Sequence, residues 1–216
     1  MEDGFEHPLV RASRRAGVFD ERVLSAMGTV RREDFVPPRD RFYAFEDEPI
    51  TLPHGQVTTQ PSLVAKMVDA LGLQGHERVL EIGTGYGYQA AILSRLAKEV
   101  VTVERLWDFC EVARQNLARA GIHNVEVVLG DGSQGYPPRA PYDAIILGAA
   151  APEVPQALVD QLAEGGTLVQ PVGYGGDELV MAFRKEGGKL REPEVVTLAY
   201  FVPLVEEGER EVEMRE

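Results

Sequence analysis

The chain has 216 residues, of which 44% are hydrophobic and 26% are charged, proportions typical of one globular domain. Its net charge of −13 argues against a nucleic-acid partner, because such a partner needs clustered Lys and Arg. Apolar runs are too short to cross a membrane, the N-terminal residues lack the apolar core of a signal peptide, and the single cysteine excludes a disulfide framework. We therefore expect a cytoplasmic, monomeric protein without membrane or nucleic-acid partners.

The first quarter of the chain differs in pattern from the rest. Residues 1–60 are predicted to form an N-terminal attachment and a substrate loop, in which Asp20 caps a short helix. A longer amphipathic helix begins near Ser62. Residues 61–204 are predicted to form the α/β core, and residues 205–216 a solvated acidic tail, all within a single domain.

Strands and helices alternate through the predicted core. The predicted strands are Arg78–Ile82, Val100–Glu104, Val125–Leu129, Tyr142–Leu147 and Thr167–Pro171. The predicted helices are Gln89–Ala97, Leu106–Ala120 and Pro155–Leu162. Trp107 and Cys110 fall on the apolar face of the second helix and are predicted to be core.

The end of the core has a different pattern. Glu178–Arg184 and Val195–Val202 flank a glycine turn, which predicts an antiparallel hairpin at one edge of the sheet. Strands that alternate with helices predict a mostly parallel sheet with right-handed crossovers. The fold class is therefore α/β, a doubly wound sheet with a small N-terminal helical attachment.

A glycine-rich turn joins the first strand to the helix that comes after it. It reads Val79-Leu80-Glu81-Ile82-Gly83-Thr84-Gly85-Tyr86-Gly87. Glycines at such a turn let the backbone bend sharply and approach a ligand closely. Glu104 ends the next strand, where an acid accepts hydrogen bonds from ribose hydroxyls. These features predict a nucleoside-binding site.

The spacing of this loop separates two nucleoside cofactors. A dinucleotide fingerprint has a glycine at its sixth position, where this chain has Tyr88. The acid Glu81 suits the ammonium and sulfonium of S-adenosylmethionine better than the phosphates of NAD. Asp131, before Gly132, is placed to accept the adenine amino group. We predict S-adenosylmethionine as cofactor and S-adenosylhomocysteine as product, with an NAD-dependent dehydrogenase as the alternative.

Several motifs together resemble the protein-L-isoaspartate (D-aspartate) O-methyltransferase family. The matching segments are Gly55–Pro61, Val79–Tyr88, Ala140–Ile146, Ala149–Pro152, Val154–Leu158, Gly166–Gly173 and Phe201–Leu204. The resemblance implies a Rossmann-like class I methyltransferase fold. It also implies methyl transfer from S-adenosylmethionine to the free α-carboxylate of L-isoaspartyl and D-aspartyl residues. The partners would be damaged proteins and peptides, whose repair this methylation initiates.

The resemblance also implies roles for single residues. Thr59 stands where the family has a serine near the methyl-accepting carboxylate, and it is the predicted catalytic residue. Cofactor contacts are implied for Gln56, Val57, Thr58, Glu81, Gly83, Thr84, Gly85, Tyr86, Glu104, Arg105, Asp131 and Gly132. Substrate contacts are implied for Val57, Thr59, Ala150 and Val202, and no metal is implied. His54, beside this loop, is expected to face solvent.

The implied chemistry needs no general base. An isoaspartyl carboxylate has a pKa of about 4 and is already anionic at neutral pH. Acceleration must then come from alignment of the reacting atoms and removal of water from the carboxylate. Two further alternatives stay open at this point. One is a methyltransferase dedicated to a single peptide; the other is a cofactor-binding module without catalysis, if Thr59 cannot replace serine.

Overall fold

The computed structural model of the protein describes residues 6–173, 176 and 178–205. The predicted acidic tail therefore lies outside the described residues, except for its first residue. Eight strands form the sheet: β1 (Arg78–Ile82), β2 (Glu99–Glu104), β3 (Val125–Leu129), β4 (Tyr142–Leu147), β5 (Leu162–Val172), β6 (Glu178–Glu186), β7 (Lys189–Leu190) and β8 (Glu194–Ala199). No helix in the described ranges is long and apolar enough to cross a membrane.

The strand order is β3-β2-β1-β4-β5-β6, and β7 and β8 both pair with β6. β1 to β5 pair in parallel, whereas β6 is antiparallel to β5 and β8 is antiparallel to β6. The chain order reverses between β1 and β4, which is the topological switch point of such a sheet. The predicted doubly wound sheet with an antiparallel hairpin at one edge is confirmed.

Six α-helices accompany the sheet in the described residues: α1 (Pro8–Arg15), α2 (Glu21–Thr29), α3 (Pro61–Asp69), α4 (Tyr88–Leu93), α5 (Trp107–Arg119) and α6 (Gln156–Gln161). Asp20 caps α2, as predicted, by accepting a hydrogen bond from the Arg22 amide. The first helix, α1, was not among the predicted elements; His7 caps it and Pro8 opens it.

Alternate strand residues send side chains into two separate apolar clusters. Val79 and Val100 pack into the larger cluster, together with α1 to α4 and part of α5. Leu80 and Val101 pack into the smaller cluster on the other face, with residues of α6. Both faces of the parallel strands are therefore covered, as burial of near-continuous apolar strands requires.

Three predicted boundaries differ from the structure by more than two residues. α4 ends at Leu93 rather than Ala97, because the Ser94 hydroxyl donates to a carbonyl of the preceding turn and Asn124 donates to the Ser94 carbonyl. β5 begins at Leu162, directly after α6, instead of at Thr167. The last predicted strand also ends early, at Ala199.

Trp107 corrects one predicted core position. It is the first residue of α5 and is 65% exposed, so the prediction that it is core is wrong. The apolar face of α5 begins only at Phe109 and Cys110, which are both buried. A large side chain in the first turn of this helix lies outside the layer that the sheet covers.

Candidate active site

A cavity lies at the carboxyl ends of the parallel strands, beside the switch point between β1 and β4. Its empty space is about 990 Å³ when the open mouth is included. Most of its lining comes from the glycine loop after β1, the end of β2, residues 56–59, Gly148 and Ala149 after β4, and residues 202–205. Open α/β sheets bind ligands at this place.

The glycine loop forms one wall of the cavity. Gly83, Gly85 and Gly87 have φ values of 90°, 54° and 95°, in the left-handed region that side chains disfavour. The Thr84 hydroxyl lies 2.6 Å from the Thr102 hydroxyl and ties the loop to β2. The hydrogen bond to β2 therefore stabilises the loop conformation, and residues 83–86 of the loop line the cavity.

Glu104 is the carboxylate that lines the cavity. One of its oxygens accepts the Gly85 amide at 2.9 Å, and the other accepts the Leu106 amide at 3.1 Å. A carboxylate oxygen has two lone pairs, so these bonds leave acceptor capacity on both oxygens. The structure thus holds the predicted ribose acceptor rigidly between the glycine loop and the start of α5.

Glu81 is placed differently from its prediction. Its side chain is fully buried, does not line the cavity, and accepts a hydrogen bond from the Thr102 hydroxyl at 2.5 Å. Burial raises the pKa of Glu81 to about 8, and the neighbouring Glu104 charge adds to the rise. A pKa of about 8 favours the neutral form of Glu81 at pH 7, and its side chain packs beneath the glycine loop and not on the cavity wall.

Two more predicted contacts do not line the cavity. The Asp131 carboxylate accepts hydrogen bonds from the amide and hydroxyl of Ser133, and only the next residue, Gly132, reaches the wall. Ala150 uses its amide on the Val202 carbonyl, and its carbonyl accepts the Leu204 amide. Through these two hydrogen bonds Ala150 fixes the position of residues 202–204.

The loop before α3 covers the cavity on a second side. Thr51 and Val57 pair as an antiparallel bridge, and the Leu52 amide donates to the Gln56 carbonyl at 2.7 Å. Residues 56–59 of this hairpin all line the cavity, as predicted for a cofactor and substrate loop. The Thr59 hydroxyl makes no hydrogen bond within the described part of the chain. It remains available to a ligand.

A groove adjoins the cavity, and the two share the residues 57–59, Gly148 and Val202. Beyond them the groove is lined by Leu63 and Lys66 of α3 and by residues 197–201 at the end of β8. The structure therefore joins a cavity and an open groove at Thr59. A small ligand in the cavity and an extended chain in the groove would meet there.

An interaction across the cavity mouth links the hairpin to α5. His54 lies 2.8 Å from Asp108 and is 46% exposed, in agreement with its expected solvent-facing position. The His54 ring also contacts Phe109, which in turn packs edge-on against Tyr86 at 5.2 Å. The hydrogen bond from His54 lowers the pKa of Asp108. Asp108 and Phe109 were not predicted at the site, since nothing in a helix pattern indicates a distant loop partner.

Comparison with known proteins agrees with this geometry. A family model described as Protein-L-isoaspartate(D-aspartate) O-methyltransferase (PCMT) matches residues 5–209. A protein-L-isoaspartate O-methyltransferase of Methanoculleus marisnigri is 52% identical over 195 residues, covering 89% of this chain and 87% of that protein. A protein of the same name from Parvibaculum lavamentivorans is 44% identical over 211 residues, or 95% of each chain.

Solved structures give the same comparison. A structure named protein-L-isoaspartate O-methyltransferase matches with a TM-score of 0.78 at 32% identity, covering 90% of this chain. The chain spans 64% of the length of that structure's chain. A Plasmodium falciparum structure, described as a PCMT in complex with S-adenosyl-L-homocysteine, also has a TM-score of 0.78, at 24% identity and covering 93% of this chain and 98% of that one. At that identity the second likeness shows the fold.

Proposed function

The chain belongs to the protein-L-isoaspartate(D-aspartate) O-methyltransferase family, and from that premise we propose how its residues perform the reaction. The enzyme transfers a methyl group from S-adenosylmethionine to the free α-carboxylate of isoaspartyl residues in damaged proteins and peptides, the first step of their repair. The alternative of a methyltransferase dedicated to one peptide is not favoured. Individual residues of the cavity and the groove can be given roles in that reaction.

The cavity fits S-adenosylmethionine in its donor and acceptor set. Glu104 has acceptor capacity for two ribose hydroxyls, and the glycine loop Gly83–Gly87 brings backbone close to the methionine part. Arg105, Gln56 and Gly132 complete the proposed contacts. When bound, this cofactor supplies an electrophilic methyl group on a sulfonium centre. Among the described residues, Glu104 is the carboxylate that lines the cavity, whereas Glu81 is buried beneath the glycine loop.

The junction at Thr59 carries the proposal for the substrate. Its hydroxyl lies on the wall that the cavity and the groove share, and it has no partner in the described residues. We propose that it donates a hydrogen bond to the substrate carboxylate and fixes which oxygen faces the cavity. Because the carboxylate is already ionised, Thr59 does not act as a base. Val57 and Val202 would exclude water from the same point.

The groove suits an extended peptide. β8 pairs with β6 along one side, and its last residues line the groove beside α3. An extended peptide bound there through main-chain groups would be read little by its side chains. The net charge of −13 and the overall composition further support our proposal of a monomeric, cytoplasmic single-domain enzyme without a nucleic-acid partner.

Methylation of matched peptides tests this function. Two peptides with the same sequence, one with Asp and one with isoAsp, are incubated with the protein and methyl-labelled S-adenosylmethionine. We expect base-labile label on the isoAsp peptide, and the same result when flanking residues are varied. Equal labelling of the Asp peptide, or no label on either peptide, would contradict the assignment. Labelling confined to one flanking sequence would instead support the dedicated-peptide alternative.

A further inference from the structure

Arg32 lies outside every segment that the proposed reaction uses, yet the structure packs it beneath the substrate loop. It belongs to a short 3₁₀ helix, Arg32–Asp34, and only 2% of the residue is exposed. We propose that Arg32 is a positioning residue, which holds Thr59 at the junction of cavity and groove. The inference rests on the proposed function, since it assigns a cause to the position of Thr59.

The guanidinium of Arg32 donates hydrogen bonds to backbone carbonyls of residues 44–48 and to the side chain of Thr58. It bonds to the carbonyls of Glu46 and Glu48, each at 2.8 Å, to the Ala44 carbonyl at 3.4 Å, and to the Thr58 hydroxyl at 3.1 Å. It forms no ion pair with any residue that the structure describes. A buried cation without an ion-pair partner is costly, so its hydrogen bonds must hold a particular geometry. The planar guanidinium places its donors in a rigid fork, whereas the three donors of a lysine ammonium rotate at the end of a flexible chain.

These bonds fix the residue before Thr59. The Thr58 hydroxyl accepts from both Arg32 and the Ile50 amide, and the Thr58 amide donates to the Ile50 carbonyl at 2.8 Å. Ile50 and Thr58 therefore pair at the base of the hairpin that covers the cavity. Without the hydrogen bond from Arg32, the position of Thr58 would depend on its hydrogen bonds with Ile50 alone.

The same arginine fixes the residue after Thr59 through Asp47. Two of the three carbonyls that Arg32 binds flank Asp47, whose carboxylate accepts from the Gln60 side chain at 2.9 Å and from the Ser62 amide at 2.8 Å. Thr59 thus lies between two residues, Thr58 and Gln60, that Arg32 anchors directly or through Asp47.

Arg32 also contacts the cofactor side of the cavity. Its guanidinium carbon lies 5.8 Å from the centre of the Tyr88 ring. Tyr88 is the first residue of α4 after the glycine loop, and it lines the cavity. One buried side chain therefore connects the substrate loop with the helix that begins after the cofactor loop, and sets the spacing between them.

The variant Arg32→Lys keeps the positive charge and replaces the planar guanidinium with a single ammonium group. We expect kcat/KM for an isoaspartyl peptide to fall about tenfold or more, while the Kd for S-adenosylhomocysteine changes by less than about threefold. Thr58→Val should show the same split more weakly, and Thr58→Ser, which keeps the hydroxyl, should restore activity. If Arg32→Lys does not fold, the Thr58 pair carries the test alone. Lys185→Met serves as the matched control, because Lys185 also donates to backbone carbonyls, Val159 and Leu162, but far from the cavity.

Two results would overturn the inference. Folded Arg32→Lys or Thr58→Val protein with wild-type kcat/KM would show that the loop needs no such tie. An equal loss of kcat/KM in Lys185→Met would show a general stability effect. Hydrogen exchange separates this inference from the proposed function: even if the wild-type protein methylated no isoaspartyl peptide, faster exchange of the Thr58 amide in Arg32→Lys would support the positioning role, and unchanged exchange would refute it.

Discussion

Replacing Glu81 with glutamine tests the finding that the acid of the glycine loop is buried and neutral. The side chain is 0% exposed, one oxygen accepts from the Thr102 hydroxyl at 2.5 Å, and a hydrogen bond with the Gln89 side chain acts on the same carboxyl group. Glutamine has nearly the same shape, and its carbonyl oxygen can accept the same hydrogen bond. The variant therefore removes one titrating proton and little else.

The size of the effect comes from the pKa. Burial raises the pKa of Glu81 from its ordinary 4.5 to about 8, an interval that corresponds to roughly 5 kcal/mol as an upper bound. The folded state holds this proton more tightly than the unfolded chain does. The contribution of Glu81 to stability is thus fully present below about pH 4.5 and is lost as pH rises towards about pH 8.

Urea unfolding of both proteins at a series of pH values measures this difference. Between about pH 5 and pH 8.5 the stability of Glu81→Gln relative to the wild type should increase by roughly 3 kcal/mol. Glu77→Gln is the control: backbone hydrogen bonds from Gln74 and Gly75 lower the pKa of Glu77 against the effect of burial, so no such gain is expected. Parallel pH profiles for wild type and Glu81→Gln would refute a neutral Glu81.

Three further predictions concern ligands. Thr59→Val should lower methyl transfer about ten- to a hundredfold, while Thr59→Ser stays active; wild-type turnover in folded Thr59→Val would remove Thr59 from catalysis. Glu104→Ala should weaken S-adenosylmethionine binding by about 1.5–3 kcal/mol in calorimetry, and unchanged affinity would disprove the ribose contact. His54→Ala should release S-adenosylhomocysteine about fivefold faster in stopped-flow experiments, because it frees the hairpin from Asp108. If the double variant His54→Ala/Asp108→Asn released S-adenosylhomocysteine faster than His54→Ala, the effect of His54 would not depend on its interaction with Asp108.

The sequence predicted the site best where the residues that line the cavity belong to a local motif of strand, turn and helix. The glycine loop comes directly after β1 and Glu104 ends the next strand, β2, and both line the cavity. The alternation of strands and helices likewise predicted the parallel sheet. Helix and strand ends were less predictable, because distant side chains decide them: Asn124 helps to end α4, and Ala150 pairs with the residues that come after β8.

The environment of single side chains, such as their burial and hydrogen bonding, depends on contacts between distant residues that no local sequence pattern reveals. Glu81 belongs to the loop motif, yet only the fold shows that its side chain points into the core and is protonated. Arg32 and its acceptors at Glu46, Glu48 and Thr58 are 14 to 26 residues apart in the chain. Arg32 lies in a run of four charged residues, Arg31–Asp34, which suggests a surface position, and its buried hydrogen bonds reverse that expectation.

A structure of the protein with S-adenosylhomocysteine and an isoaspartyl peptide would test the proposed junction at Thr59 most directly. We expect the ribose hydroxyls at Glu104, and the peptide α-carboxylate within about 3 Å of the Thr59 hydroxyl, with the peptide extended between α3 and the end of β8. A carboxylate bound away from Thr59, or a peptide outside this groove, would contradict the proposed mechanism.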